Sequence, residues 1–150
     1  MIKILFVCHG NICRSPMAEF VMKDIVKKAG REGDYYIDSK AVSYEEIGND
    51  THPGTKRKLD EMNIPYTRRG ASIITNVDYE EFDYILCMDK SNLRNLSRII
   101  RGGIDKAKLL LEFAGEHRDI ADPWYTGNFD ETFDDVLKGC TALFEYLEQR

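Results

Sequence analysis

Four short apolar runs punctuate the chain, at 2–7, around 35–42, at 84–88 and at 107–111, and helical periodicity fills the intervals between them. Ile2-Lys3-Ile4-Leu5-Phe6-Val7 is nearly continuous rather than alternating, the pattern of a strand covered on both faces of a parallel sheet. Met17, Phe20, Val21, Ile25 and Ala29 share one helix face, with Pro16 in the first turn and Gly30 as the stop. A second helix is predicted from about His52 to Asn63, ending before Ile64-Pro65 because the residue ahead of proline leaves the helical region. Short helices around Val77–Phe82 and Lys90–Arg98 flank the third strand, and Phe133, Val136, Leu137, Cys140, Leu143, Phe144 and Leu147 step by three or four along a last one. Strand and helix signals alternate, so the expected fold is a single three-layer α/β domain over 1–150, with a parallel sheet and helices on both faces. Ligands of such sheets sit outside the carboxyl ends of the strands. The loop after the first strand, Asp38-Ser39, and Asp122-Pro123-Trp124-Tyr125 are expected to converge there.

Composition changes this picture little. A chain of 150 residues with 43% hydrophobic and 31% charged residues carries a substantial core, and no apolar run is long enough to span a bilayer. The N-terminal apolar stretch is too short for a signal peptide, so the expected location is cytoplasmic and no membrane insertion is expected. A net charge of −5, from 26 acidic and 21 basic residues, argues against nucleic acid as a partner. Lys56, Arg57, Lys58, Arg68 and Arg69 read as a solvated helix face and loop. Of the four cysteines, Cys87 and Cys140 fall on apolar stripes and read as packing residues. His9, His52 and His117 show no ligand rhythm, so neither a metal nor a cofactor is expected.

The candidate chemistry lies in Cys8-His9-Gly10-Asn11-Ile12-Cys13-Arg14-Ser15, directly after the first strand and directly before Pro16. Five residues between Cys8 and Arg14 curl into a cradle of backbone N–H groups, and the following helix aims its positive end at the same point. Arg14 can grip two phosphoryl oxygens at once, a geometry lysine does not match. An ordinary thiol with a pKa of about 8.5 is only about 3% ionised at neutral pH, so nucleophilic work by Cys8 needs these groups to favour the thiolate. Ser15 offers a hydroxyl to the sulfur, Gly10 allows close backbone approach, and Asn11 tolerates a left-handed conformation. Asn11 then needs side-chain partners, of which Ser39 is one candidate. A thiolate attacking a phosphate monoester also needs a proton donor for the leaving oxygen. Asp122 is the candidate, with Trp124 and Tyr125 as aromatic walls expected to desolvate its carboxyl. Against these readings stand a core thiol at Cys8 and an ordinary Asp-Pro turn at Asp122.

These motifs resemble the low-molecular-weight protein tyrosine phosphatases over essentially the full length. VCHGNICRSPMAE, the DS at 38–39, FDYILCMD at 82–89 and DPWY at 122–125 carry the likeness. The resemblance implies a four-stranded parallel sheet, no metal, and a two-step reaction through a cysteinyl phosphate. On this sequence it makes Cys8 the nucleophile, Arg14 the phosphate clamp, Ser15 the thiolate donor and Asp122 the general acid. Residues 9–15 (His9, Gly10, Asn11, Ile12, Cys13, Arg14, Ser15) become the phosphate loop, with Asn11 and Ser39 as its support. Cys13 matches a second loop cysteine that in this family forms a reversible disulfide with the nucleophile under peroxide; a thiol packed beneath the loop is the plainer reading. Tyr44, Trp124 and Tyr125 are the expected recognition residues, and phosphotyrosine proteins, tyrosine kinases among them, the expected partners of a monomer or weak dimer.

Two relatives share the loop. Protein arginine phosphatases carry threonine where this chain has Ile12 and a small residue at Tyr125, and arsenate reductases need two further nearby cysteines where Cys87 stands alone. A phosphoryl carrier that keeps phosphate on Cys8 is a third reading, disfavoured by Arg14 and Asp122. Glu45 and Glu46, near the expected rim, predict selectivity against strongly acidic phosphopeptides.

Overall fold

The first strand, β1 (Ile2–Cys8), occupies the interior of a four-stranded parallel sheet of order β2-β1-β3-β4, with β2 at Tyr35–Ala41, β3 at Tyr84–Cys87 and β4 at Ala107–Leu109. The structure, a computed structural model, describes residues 1–149. Successive side chains of β1 point to opposite faces, and both faces are covered. Ile4 and Phe6 pack with Met17, Val21, Cys140 and Leu143, while Leu5 and Val7 pack with Tyr79, Phe82, Leu96 and Ile100. That double cover is why the run shows no polar alternation.

Helices α1 (Arg14–Lys28) and α6 (Phe129–Glu148) cover the first face; α3 (Asn76–Glu81) and α4 (Lys90–Ile99) supply the second. Pro16 sits in the first turn of α1, where a missing N–H costs no intrahelical bond, and Gly30 follows the helix in the left-handed region. Helix α2 (Pro53–Glu61) starts one residue later than its pattern predicts because His52 acts as its cap. The chain leaves α2 at Met62 and turns through a left-handed Asn63.

The apolar run at 107–111 is only partly strand. The side chain of Glu112 accepts from Leu109 N at 2.6 Å, and a 3-10 turn takes over at Leu110–Ala114. Leu109 belongs to one core, whereas Leu110 and Leu111 cross to the other, against α6. Another difference concerns 122–126, which carries its own short helix, α5 (Pro123–Thr126), rather than open loop. The carboxyl ends of β1 and β3, the start of α1 and the start of α5 meet at one edge of the sheet.

Candidate active site

Cys8 ends β1 and its sulfur lies at the floor of a pocket of about 360 Å³, although the residue as a whole is only 3% exposed. The walls are Gly10, Ile12, Cys13, Arg14, Glu45, Glu46, Asp122, Trp124 and Tyr125, with His9 at the mouth. Two donors address the sulfur. The Asn11 backbone N–H lies 3.2 Å from Cys8 Sγ, and Ser15 Oγ lies 3.0 Å from it. Ser15 Oγ also accepts from Asn11 Nδ2 at 2.8 Å, which leaves the hydroxyl proton free to point at the sulfur. Sulfur charge is further favoured by the start of α1, whose first residue is Arg14.

Asn11 organises the loop from beneath. Its backbone adopts φ 61°, a left-handed conformation that few side chains tolerate, and the residue is fully buried. Nδ2 donates to Ser15 and, at 3.0 Å, to Ser39 Oγ. Ser39 in turn donates to Glu19 Oε1 at 2.6 Å. The carbonyl side is taken by Ser72 N and by Arg69, whose guanidinium also donates to the Asn11 backbone oxygen at 2.9 Å. Every hydrogen-bonding atom of the Asn11 side chain is therefore satisfied, which a buried amide requires.

Arg14 is 2% exposed and held from two sides. Its Nη1 donates to Asp89 Oδ2 at 2.7 Å and to the Ile120 carbonyl at 2.8 Å, and Nη2 lies 3.4 Å from Asp122 Oδ2. Burial by itself pushes this guanidinium down, but the charges of Cys8, Asp89 and Asp122 outweigh it and hold its pKa above the ordinary arginine value. Its Nε is buried without a partner among the described residues, on the edge of the guanidinium that Asp89 leaves free.

Both flanking carboxylates are helix caps. Asp89 Oδ1 accepts from Asn92 N at 2.7 Å at the start of α4, and Asp122 Oδ1 accepts from Trp124 N at 3.0 Å at the start of α5. In each case the cap fixes one oxygen and turns the other toward Arg14.

Cys13 is a walled-in thiol. Burial, the charge at Cys8 and that of Asp122 push its pKa up to about 12 against the pull of Arg14. His9 Nε2 lies 2.6 Å from Glu45 Oε2, so its side chain bridges the loop to the turn at 43–48 rather than facing the pocket floor.

Three sequence expectations are corrected. Tyr44 is 76% exposed and stands outside the pocket lining; Glu45 N folds back onto Ser43 Oγ at 3.1 Å, and the turn presents Glu45 and Glu46 instead. Trp124 and Tyr125 border the pocket but are themselves 57% and 83% exposed, so they are open walls, and the Asp122 side chain beside them keeps 23% of its surface exposed. The basic cluster is not one solvated patch, because the Arg69 side chain is 13% exposed and belongs to the Asn11 network. Asp89, Glu19 and Arg69 carry no role in the sequence reading. A carboxylate directly after a buried parallel strand was the available signal for Asp89; nothing local marked the other two. No group of three metal-ligating side chains exists among the described residues, and no described helix is long and apolar enough to cross a membrane.

Comparison with known proteins agrees with this geometry. Residues 3–150 match the family model of the low molecular weight phosphotyrosine protein phosphatases. The low molecular weight protein-tyrosine-phosphatase YfkJ of Bacillus subtilis is 38% identical over 153 residues, covering 99% of this chain and 97% of that one. PtpA of Staphylococcus aureus, of the same description, is 38% identical over 151 residues, covering 98% and 94%. The crystal structure of YfkJ matches with a TM-score of 0.95 at 37% identity, over 99% of this chain and 96% of that one. The drosophila arginine phosphatase structure matches with a TM-score of 0.88 at 28% identity, over 97% and 98%.

Proposed function

Because the chain belongs to the low molecular weight phosphotyrosine protein phosphatase family, we propose that it hydrolyses protein phosphotyrosine and small aryl phosphates through a cysteinyl phosphate on Cys8. The observation that carries this reading is the convergence of two donors on Cys8 Sγ, in a pocket that Arg14 also lines with a buried Nε that has no partner among the described residues. The phosphoryl group sits in the 9–15 loop with two oxygens on Arg14. Cys8 sulfur forms a bond to phosphorus as the ester P–O bond breaks, and Asp122 gives its proton to the departing phenolic oxygen. Asp122, now a carboxylate, takes a proton from water. The water oxygen bonds to phosphorus, the S–P bond breaks, and inorganic phosphate leaves with the thiolate restored. Ser15 steadies that thiolate as leaving group.

Aromatic esters are favoured because Cys8 lies at the bottom of the pocket. A ring carries the phosphate down between Ile12 and Trp124, whereas the short stem of phosphoserine brings the peptide backbone against the rim. Phosphotyrosine proteins are accordingly the substrates. The four free cysteines support a reducing, cytoplasmic setting. Arginine phosphate is the competing substrate, given the structural likeness to the drosophila enzyme; Ile12 and Tyr125 at the pocket argue for the ring.

The experiment is aryl-phosphate hydrolysis by the wild type and Cys8→Ser, with phosphotyrosine and phosphoarginine compared side by side. Release of phosphate from phosphotyrosine that disappears in Cys8→Ser is expected. Comparable turnover by the serine variant overturns the mechanism, and preference for phosphoarginine overturns the substrate.

A further inference from the structure

The ring of Trp124 borders the pocket, yet α5, on which it sits, has only four residues and little stability of its own. What holds the ring is His52, at the start of α2. The two rings meet edge to face, with centroids 5.8 Å apart at 81°. The other face of His52 stacks on Phe129, the first residue of α6, at 5.4 Å and 25°.

His52 is itself fixed in two further ways. Its backbone N–H donates to the Ile12 carbonyl of the phosphate loop at 2.8 Å. Its Nδ1 accepts from Gly54 N at 2.9 Å, capping α2, so that nitrogen carries no proton. Phe129 is seated so closely beneath the turn that a Cβ on Gly54 would lie 2.3 Å from its ring. His52 thus joins the phosphate loop, α2, α5 and α6 at one point, and two residues of the pocket lining, Ile12 and Trp124, meet through it.

We propose that His52 is a positioning residue: it sets the aperture between Ile12 and Trp124, and thereby favours phosphate carried on an aromatic ring over phosphate on an alkyl stem. The inference rests on the phosphatase reading above, and His52 touches no reacting atom in it. The ring contact with Trp124 and the cap on Gly54 are separable, because they use different parts of the imidazole. Asparagine keeps a cap acceptor and loses the ring, and phenylalanine keeps a ring and loses the acceptor.

The test compares wild type, His52→Asn and His52→Phe with an aryl and an alkyl phosphate, recording kcat, KM and Tm. His52→Asn is expected to stay folded with Tm lowered modestly by loss of the Phe129 stack, while raising KM for the aryl ester roughly threefold to tenfold, the worth of the contact with Trp124. Its kcat and its KM for the alkyl ester should change little. His52→Phe is expected to bring the aryl KM back toward wild type at a lower Tm. Wild-type KM for the aryl ester in a folded His52→Asn protein overturns the proposal, as does an equal rise for both esters. Loss of the KM effect with Cys8-dependent turnover intact removes this inference alone. Absence of aryl-phosphate turnover in the wild type removes the phosphatase reading instead.

Discussion

Arg14 Nη1 lies 2.7 Å from Asp89 Oδ2, and the second oxygen of Asp89 caps α4, so one carboxylate anchors both the guanidinium and a helix. The charge can be removed without the cap. Asp89→Asn retains a good N-cap and loses the ion pair, and misplacement of Arg14 should lower kcat/KM by about a hundredfold with a modest fall in Tm. Asp89→Ala should lose the cap as well, at about 0.5–2 kcal/mol more, measured by denaturant unfolding. Wild-type kcat/KM in Asp89→Asn would show that Arg14 keeps its place without the Asp89 charge, on the Ile120 carbonyl and Asp122.

Asp122 is expected to act through its proton and not only through its cap on Trp124 N. Asp122→Asn keeps an acceptor for that N–H but has no proton to give. Its kcat should fall by about 10²–10⁴ for esters with poor leaving groups and far less for activated aryl phosphates. A loss that is uniform across leaving groups would remove the acid role.

The two loop cysteines should part company in thiol chemistry. Cys13, with its pKa pushed up to about 12, stays protonated at neutral pH and should resist iodoacetamide. Alkylation should therefore fall on Cys8 and track the loss of activity, which peptide mass spectrometry resolves. Peroxide-inactivated wild type is expected to recover with dithiothreitol and Cys13→Ser to recover much less, because overoxidation of Cys8 then has no competing disulfide. Equal recovery would leave Cys13 as a packing residue.

Acid stability provides a separate check. The hydrogen bond from Lys56, at 2.5 Å, outweighs desolvation, and with those from Arg69 N and Thr51 N it holds Asp50 down to about 2. A carboxyl depressed on folding adds stability above its unfolded value, near 3.9, and that contribution disappears as pH falls through the folded value. Urea unfolding of the wild type should therefore lose stability between about pH 4 and pH 2. Asp50→Asn, less stable at neutral pH, should lose less across the same window. Identical slopes for the two proteins would contradict the assignment.

Glu45 and Glu46 border the pocket and carry negative charge to its rim. Phosphotyrosine peptides with basic flanks should show a kcat/KM several times that of acidic ones at low salt, with the ratio shrinking as the Debye length falls from about 10 Å at 0.1 M to about 3 Å at 1 M. Replacing both residues by glutamine should level the two peptides. A ratio of one in the wild type would dispose of the charge effect.

The alternating strands and helices were legible because their causes are local. β1 is apolar from Ile4 to Val7 since both of its faces are covered there, and α6 advertises its stripe every three or four residues. The run at 107–111 misled because an apolar residue looks the same whichever core it enters, and Leu109, Leu110 and Leu111 divide between two. Tyr44 misled for a related reason, since the direction of a side chain in a turn depends on hydrogen bonds such as that of Glu45 N to Ser43, which no composition signals.

Within the site, what the sequence determined by itself was the octapeptide from Cys8 to Ser15, because a loop between a strand and a helix shapes its anion cradle from its own backbone. The tertiary structure alone decided which distant groups hold that cradle. Arg14 meets Asp89 across 75 residues and the Ile120 carbonyl across 106, and Asn11 meets Arg69 across 58. Such partners are chosen by where the parallel strands end and which helix starts face the same edge. That is a property of the packed sheet, and no spacing along the chain records it.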